Sequence, residues 1–343
     1  MANSLTPLSP TLWSKIMGRK YYKMTVYKSQ ASSEEQASLS VGQKVDRPYR
    51  SNLVVENYTK GTAATAQDLT ATSDQLTIDK QKTILMYIDD VDKIQNKWDA
   101  AKAWAEEAGK RLAIQIDAEY LYQVVNAANT VDDGDLGGTS GNAFVISTSN
   151  ISSVVAKINR KLDIQNVDME RKNRFWNISP QIYDILWQYI AGKETLLGDK
   201  TGEFGNMGRW GGLELFITNN LTASARWTPA NQPSDGDTVT IAGVVFTFET
   251  GTLDAAGKVK SETSAAVTLT HLVTFINAGG IGDGAGGASA DGYALSAANQ
   301  RIVQNLVAVD GTTYIDVYHK GGSFLTVTGS DATDVWSRRT QHS

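Results

Sequence analysis

No cysteine occurs among the 343 residues, and histidine occurs three times, at His271, His319 and His342. The first absence excludes disulfides, thiolate nucleophiles and cysteine-ligated zinc. The second removes from residues 1–270 the side chain that serves most often as general base and metal ligand. Carboxylate-pair chemistry stays open. No run approaches the roughly 18 apolar residues of a membrane helix. The opening MANSLTPLSPTLWSKIMGRK lacks an uninterrupted apolar stretch, so neither a membrane span nor a secretory signal is expected. The sequons at Asn57, Asn150, Asn177 and Asn220 then read as chance matches.

What is present is ordinary in amount and uneven in placement. Hydrophobic content of 41% and charged content of 20% fit a folded chain with two or three cores. The net charge of −5 divides unequally: residues 1–50 hold eight Lys/Arg against three Asp/Glu, 51–228 hold 18 against 23, and 229–343 hold 6 against 11. A basic arm ahead of an acidic body suits nucleic acid or the acidic surface of a sister subunit, and equally a solvated terminal segment. Trp13, Tyr21, Tyr22 and Tyr27 lie among Lys15, Arg19, Lys20, Lys23 and Lys28. Such interleaving can stack bases; an arm packing on a partner is the favoured reading. A short helix is expected over Ser9–Met17, then a loop.

The stretch from Val54 to Ala128 is the most informative. VVENYTKGTAATAQDLTATSDQLTIDKQ has too little apolar content to bury both faces of a strand pair. Strands over Leu53–Tyr58 and Gln75–Asp79 would form a projecting hairpin, and isolated hairpins are marginal in water. A buried strand is expected at Ile84–Ile88. Asp90 and Asp92 sit where a helix N-terminus wants negative charge. Ile94, Trp98, Ala101, Ala105, Ala108 and Leu112 then step by 4, 3, 4, 3 and 4. That spacing predicts one helix from about Asp92 to Asn129, a rod of about 50 Å with Gly109 as a bend point.

Beyond it, helix and strand alternate: a helix over Ile151–Asp163, a strand over Asn173–Ile178, a Pro180 helix stopping at Gly192, and a strand in GGLELFITNN. Residues 229–335 are Gly/Thr/Ala-rich. TVTIAGVVFTF reads as a hairpin, Ser264–Asn277 as a helix capped by Gly279, and TTYIDVYH with SFLTVTG as a second strand pair around Gly321 and Gly322. The sum is a ββαββ module behind the linker WTPANQPSDGD.

Motifs that point to chemistry fail on context. Gly282, Gly284 and Gly287 satisfy GxGxxG but follow a helix, where a dinucleotide site needs a strand before the motif. Asp89 and Asp90 are adjacent, so they diverge, and capping explains them. Asp132, Asp133 and Asp135 form an acidic turn that lacks the twelve-residue calcium loop and its terminal Glu. Catalytic, cofactor and metal residues are therefore expected to be none.

Taken in order, VVENYTKGT, QDLTATSDQLTIDKQ, YIDDVDKIQ, the Asp117-bearing long helix and GGLELFITNNL resemble the major capsid protein of tailed bacteriophages. The resemblance implies an α+β fold: N-terminal arm (1–50), extended β-hairpin loop (51–82), spine helix with peripheral β-sheet (83–143) and α/β axial domain (144–228). An additional β-rich domain (229–335) and a C-terminal tail (336–343) follow. The family finishes its peripheral sheet with a returning strand, and DATDVWSRRTQHS leaves little material for one.

On this reading the chain is a non-enzymatic shell subunit whose copies form hexamers and pentamers around double-stranded DNA, touched non-specifically on the inner face. Portal, scaffolding and decoration proteins are the further partners implied, with no membrane. Candidate subunit contacts are Lys15, Arg19, Lys20 and Tyr22 from the arm and Val54, Tyr58, Leu69 and Leu76 from the loop. The alternative is an adhesin or carbohydrate-binding module, from the Thr/Gly-rich residues 235–330; a carboxylate hydrolase ranks last.

Overall fold

The computed structural model describes residues 22–31, 44–50, 53–57, 59–61, 67–78, 80–87, 89, 100–142, 144–193, 208–282, 291–322, 325–331 and 333–340. They fall into two units: Lys28–Asp89, and Met1–Tyr27 together with Asp90–Ser343. One helical turn, α1 (Tyr27–Gln30), lies at the boundary.

The Lys28–Asp89 unit is a hairpin, β1 (Lys44–Arg50) antiparallel to β2 (Ala71–Thr77), with Lys44 opposite Thr77 and Arg50 opposite Ala71. The second strand falls near its expected place. The first does not: β1 precedes the expected Leu53–Tyr58, of which residues 53–57 have no regular structure and Tyr58 lies outside the described residues. The expected strand Ile84–Ile88 is absent over residues 84–87, and Ile88 is not among those described. An apolar run alone does not make a strand; a neighbour must supply the ladder.

In the larger unit, α2 (Ala100–Tyr122) runs 23 residues, about 35 Å at 1.5 Å per residue. It tightens into a 3₁₀ turn at Gln123–Asn126, and Ala127 is extended, so the rod ends three residues before Asn129. Gly109 lies inside the helix without interrupting it. The expected start near Asp92, with caps Asp90 and Asp92, lies outside the described residues, as does Ser9–Met17.

The next module matches its sequence pattern closely. Helix α3 (Ile151–Ile164) turns Ile151, Val154 and Val155 inward. Strand β3 (Phe175–Ile178) leads into α4 (Pro180–Ala191), where the Ser179 hydroxyl caps Ile182 N–H and Pro180 occupies the first turn. Strands β4 (Arg209–Trp210) and β5 (Leu213–Ile217) form a hairpin, and β5 runs parallel to β3. The turn residues Gly211 and Gly212 have φ of +58° and +86°. A Cβ on Gly211 would stand 2.8 Å from Val155 Cγ1, so glycine also sets the approach of this turn to α3.

Residues 223–340 make two four-stranded sheets on one core. In chain order they supply β6 (Ala223–Thr228), β7 (Thr238–Ile241), β8 (Val244–Glu249), β9 (Lys258–Lys260), α5 (Ala265–Asn277), α6 (Ala297–Val303), β10 (Leu306–Asp310), β11 (Ile315–His319), β12 (Val327–Gly329) and β13 (Val335–Thr340). The strand orders are β10-β11-β6-β13 and β12-β7-β8-β9. The β7–β8 hairpin and Ser264-capped α5 fall where expected.

Three features differ from expectation. The strands from TTYIDVYH and SFLTVTG do not pair; they belong to different sheets, and β11 pairs with the unexpected β10. The short C-terminal stretch does supply a strand: β13 pairs with β6 along all six residues. Finally, the module is richer than ββαββ and shares its core with β6, where the Trp227 ring stacks on Phe248 at 5.9 Å.

Candidate assembly surface

The hairpin unit is defined by what it leaves uncovered. Six of the seven β2 residues are exposed, and Leu76 is half-buried. Along the flanking segments Val55, Leu85 and Tyr87 are 97%, 92% and 88% exposed, and Leu53, Val54, Leu69, Ile84 and Met86 are exposed as well. Val54 N–H donates to Gln67 Oε1 at 3.0 Å, which ties the two arms together without burying either. Two runs of large apolar side chains, at 53–55 and 84–87, thus stand in water, whereas a scattered single residue would need no explanation.

In the larger unit the residues entering from the N-terminal side are clamped. Asp117 sits in the C-terminal part of α2 and is fully buried. Its Oδ1 accepts from Val26 N–H at 2.7 Å and Tyr27 N–H at 2.9 Å, and its Oδ2 accepts from Asn220 Nδ2 at 3.0 Å. Asn220 Nδ2 also donates to Ile114 O at 2.8 Å, and the Thr218 hydroxyl donates to Met24 O at 3.1 Å. Nearby, Lys23 donates to Gly321 O, and Tyr22 donates to Glu107. The Glu107 hydrogen bond, reinforced by burial, raises the Tyr22 phenol above its ordinary 10.0. Val26, Leu121 and Leu221 close the apolar side of the junction. The sequence places Asp117 on the long helix and assigns it no role. The available signal was a carboxylate inside an apolar stretch of helix, a position that aspartate disfavours unless it is bonded.

Elsewhere the polar clusters are structural. In the acidic turn, Asp132 accepts from Asp135 N–H, Gly141 N–H and the Ser140 hydroxyl, and Asp133 accepts from Thr139 N–H. Lys161 Nζ lies 2.5 Å from Asp135 Oδ2, supplying the positive charge that a metal would bring. Backbone N–H donors hold the Asp132 carboxyl below its ordinary 3.8, and the Lys161 hydrogen bond does the same for Asp135. Among the described residues no group of three acidic or histidine side chains could hold a metal. Between α3 and the β4–β5 turn lies a groove over Val155, Arg160, Asp163 and Trp210. Its acid is spoken for: Arg174 Nη2 and Arg171 Nη2 lie 2.7 and 2.6 Å from Asp163.

The outward face of the β12-β7-β8-β9 sheet bears Thr238, Thr240, Val245, Thr247, Lys258 and Thr328, while Phe246 and Phe248 point into the core. No aromatic ring stands on that face of the four strands, so the platform on which a sugar would stack is missing there. Among the described residues no helix is long and apolar enough to cross a membrane.

Of the residues expected at a subunit contact, Val54 and Leu69 are exposed, Leu76 is half-buried in the hairpin, and Tyr22 is bonded within its own chain. Lys15, Arg19, Lys20 and Tyr58 lie outside the described residues.

No protein-family profile matches the sequence, and no curated protein matches it. Solved structures do. A chain described as Mycobacterium phage Che8 aligns with a TM-score of 0.51 at 16% identity, covering 93% of this chain and 96% of that one. The capsid structure of the Cyanophage P-SCSP1u aligns at 0.46 and 15% identity, over 68% of this chain and 73% of that one. The asymmetric unit of the bacteriophage PhiM1 mature capsid aligns at 0.44 and 10%, over 97% and 89%. At such identities the likeness to Che8 is one of fold. Over nearly its whole length the chain shares its mixed α+β fold with a phage structure, as the resemblance to tailed-phage major capsid proteins implies.

Proposed function

We propose that this chain is the structural subunit of a tailed-phage head and has no enzymatic role. Copies associate into hexamers and pentamers and close an icosahedral shell around double-stranded DNA, with assembly in the bacterial host cytoplasm. The observation that carries this reading is the Lys28–Asp89 unit, which presents Val55, Leu85 and Tyr87 almost fully to solvent. Burying each such side chain is worth about 1.5–3 kcal/mol. Half a dozen together reach about 9–18 kcal/mol, which only moderately exceeds the roughly 4–15 kcal/mol cost of association. One contact is therefore weak, and a closed lattice of repeated contacts is strong. The basic residues before Arg50 supply the charge for non-specific contact with packaged DNA. Portal, scaffolding and decoration proteins are the further partners of such a subunit.

The test is assembly of purified protein, followed by light scattering and negative-stain microscopy. Wild type forms hollow particles tens of nanometres wide, on the order expected for a multi-copy shell. The triple variant Leu53→Asp, Val55→Asp, Leu85→Asp stays unassembled with unchanged circular dichroism, because none of the three is buried in the isolated chain. Normal shells from that variant contradict the reading.

A further inference from the structure

A sheet edge invites pairing unless something blocks it. Three of the four edges in the sheets of residues 223–340 are blocked or short. The outer edge of β10 is plugged by one side chain: Asn277 Nδ2 donates to Ala308 O at 2.8 Å, and Ala308 N–H donates to Asn277 Oδ1 at 2.9 Å. The outer edge of β9 is covered by Asp291–Tyr293, with Lys260 N–H on Asp291 O at 3.0 Å and Tyr293 N–H on Lys258 O at 2.8 Å. Strand β12 is three residues long. Strand β13, six residues long, ends its sheet, and among the described residues no strand lies beyond it.

The orientation of its peptide groups follows from Asn277. In antiparallel sheets, successive residues turn their N–H and C=O to opposite sides. Ala308 faces Asn277, so Val317 opposite it turns toward β6 and bonds Ala225. The neighbouring Ser224, Arg226 and Thr228 then turn toward β13 and bond Arg339, Ser337 and Val335. That leaves Trp336, Arg338 and Thr340 with N–H and C=O directed away from the sheet.

We propose that this open edge of β13 receives strand β2 from a second copy, joining the hairpin to the β10-β11-β6-β13 sheet as a six-stranded inter-subunit sheet. The inference rests on the head reading above and names where the hairpin docks. Among the described residues strand β2 pairs with β1 alone and no strand lies on its other edge. Between the two hairpin edges, β1 is unsuited. Pro48 removes one donor from it, and Lys44, Arg47 and Arg50 outweigh Asp46. Strand β2 itself holds one acid, Asp74, which pairs with Arg47 of β1 at 3.2 Å, and no Lys or Arg, whereas VWSRRT holds two arginines and no acid. The charges match β2 to β13 and set β1 against it. Three outward residues can exchange up to about six ladder hydrogen bonds with the incoming strand.

Two experiments on the full chain test this. Because the chain has no cysteine, a Ser337→Cys copy can be mixed with tagged copies carrying Thr72→Cys, Ser73→Cys, Asp74→Cys or Gln75→Cys, then assembled and oxidised. We expect a tagged–untagged disulfide dimer for at least one β2 position. The exposed Val245→Cys, used in place of Ser337→Cys, should give none. In the second experiment Arg338→Pro removes an outward N–H while leaving the bonds to β6. It should raise the concentration needed for assembly by about tenfold or more, with circular dichroism unchanged. Particles that form without any Ser337 crosslink, or Arg338→Pro particles at the wild-type concentration, overturn the docking edge and leave the head reading standing. Wild-type protein that forms no particles overturns both.

Discussion

Replacing Asp117 tests the junction that fixes where the chain leaves the body at Tyr27. Its carboxylate receives two backbone amides and one carboxamide, all within 3.0 Å, in a fully buried site. Hydrogen bonds to a charged acceptor contribute about 1.5–3 kcal/mol each, and a buried donor left unsatisfied costs about 1–3 kcal/mol. Asp117→Ala strands the N–H groups of Val26 and Tyr27, so the 22–27 segment should lose about 3 kcal/mol or more against local opening. A loss of 3 kcal/mol raises the open fraction about 150-fold. Asp117→Asn separates the contributions. Its Oδ1 can still accept from both amides, but its amide nitrogen then faces Asn220 Nδ2. Turning Asn220 over to mend that contact would give up its bond to Ile114 O. The Asn variant should therefore fall between wild type and Ala. The assay is amide exchange of peptides covering residues 22–31, read beside peptides of the β7–β8 hairpin as an internal reference. Faster exchange confined to the first peptides, by about two decades for Ala and by less for Asn, is the expected result. Equal exchange in wild type and Ala, or Asn as damaging as Ala, refutes the argument that the carboxylate acts as the clamp.

Three further outcomes follow from single positions. Gly211→Ala puts a side chain at φ +58°, 2.8 Å from Val155 Cγ1, and should lower stability by about 2–3 kcal/mol. Adding Val155→Ala should recover the contact part, so strictly additive losses in urea unfolding would contradict the geometry. Ala242 holds φ +53° in the two-residue β7–β8 turn ahead of Gly243. Ala242→Asn should raise the unfolding free energy by about 0.5–1 kcal/mol, read as a higher urea midpoint at unchanged slope, and a lower midpoint would count against it. The Arg174 hydrogen bond holds the Asp163 carboxyl below its ordinary 3.8. A depressed carboxylate stabilises fully above its unfolded value and loses that contribution as pH falls through its folded one. Melting temperatures of wild type should thus drop more steeply below pH 3.8 than those of Asp163→Asn, and parallel curves would sink the assignment.

What was legible in the sequence was local. The α3 and α4 helices announce themselves through apolar spacing and, for α4, through Ser179, Pro180 and Gly192 at its ends. The β7–β8 hairpin is visible because Val239, Ile241, Val244, Phe246 and Phe248 alternate about Ala242 and Gly243. The β1–β2 hairpin is harder to read for a physical reason: with neither face buried, no alternation marks its register, and a polar, threonine-rich stretch pairs equally well several ways. Strand β1, KVDRPYR, carries a proline and four charges and passes for an arm. Its position is set by the partner strand, which lies over twenty residues on.

The sheet of residues 223–340 shows the other limit. Its β6–β13 pairing joins residues about a hundred apart, and no local pattern encodes such a contact. The linker WTPANQPSDGD looks like a boundary because prolines and small polar residues crowd there. Yet Trp227 at its near end stacks on Phe248 beyond it, and Trp227 Nε1 donates to Asp334 at 2.9 Å. Asp334 also accepts Ala230 N–H at 3.2 Å, so one carboxylate just before β13 fixes both the ring and the start of the linker. The consequence is directional: whatever pulls on β13 is transmitted through β6 to Trp227 and into the core of the following module. A strand added to the β13 edge would thereby load a core built from both sheets, and that is a sounder footing for a lattice contact than a free-standing hairpin could offer.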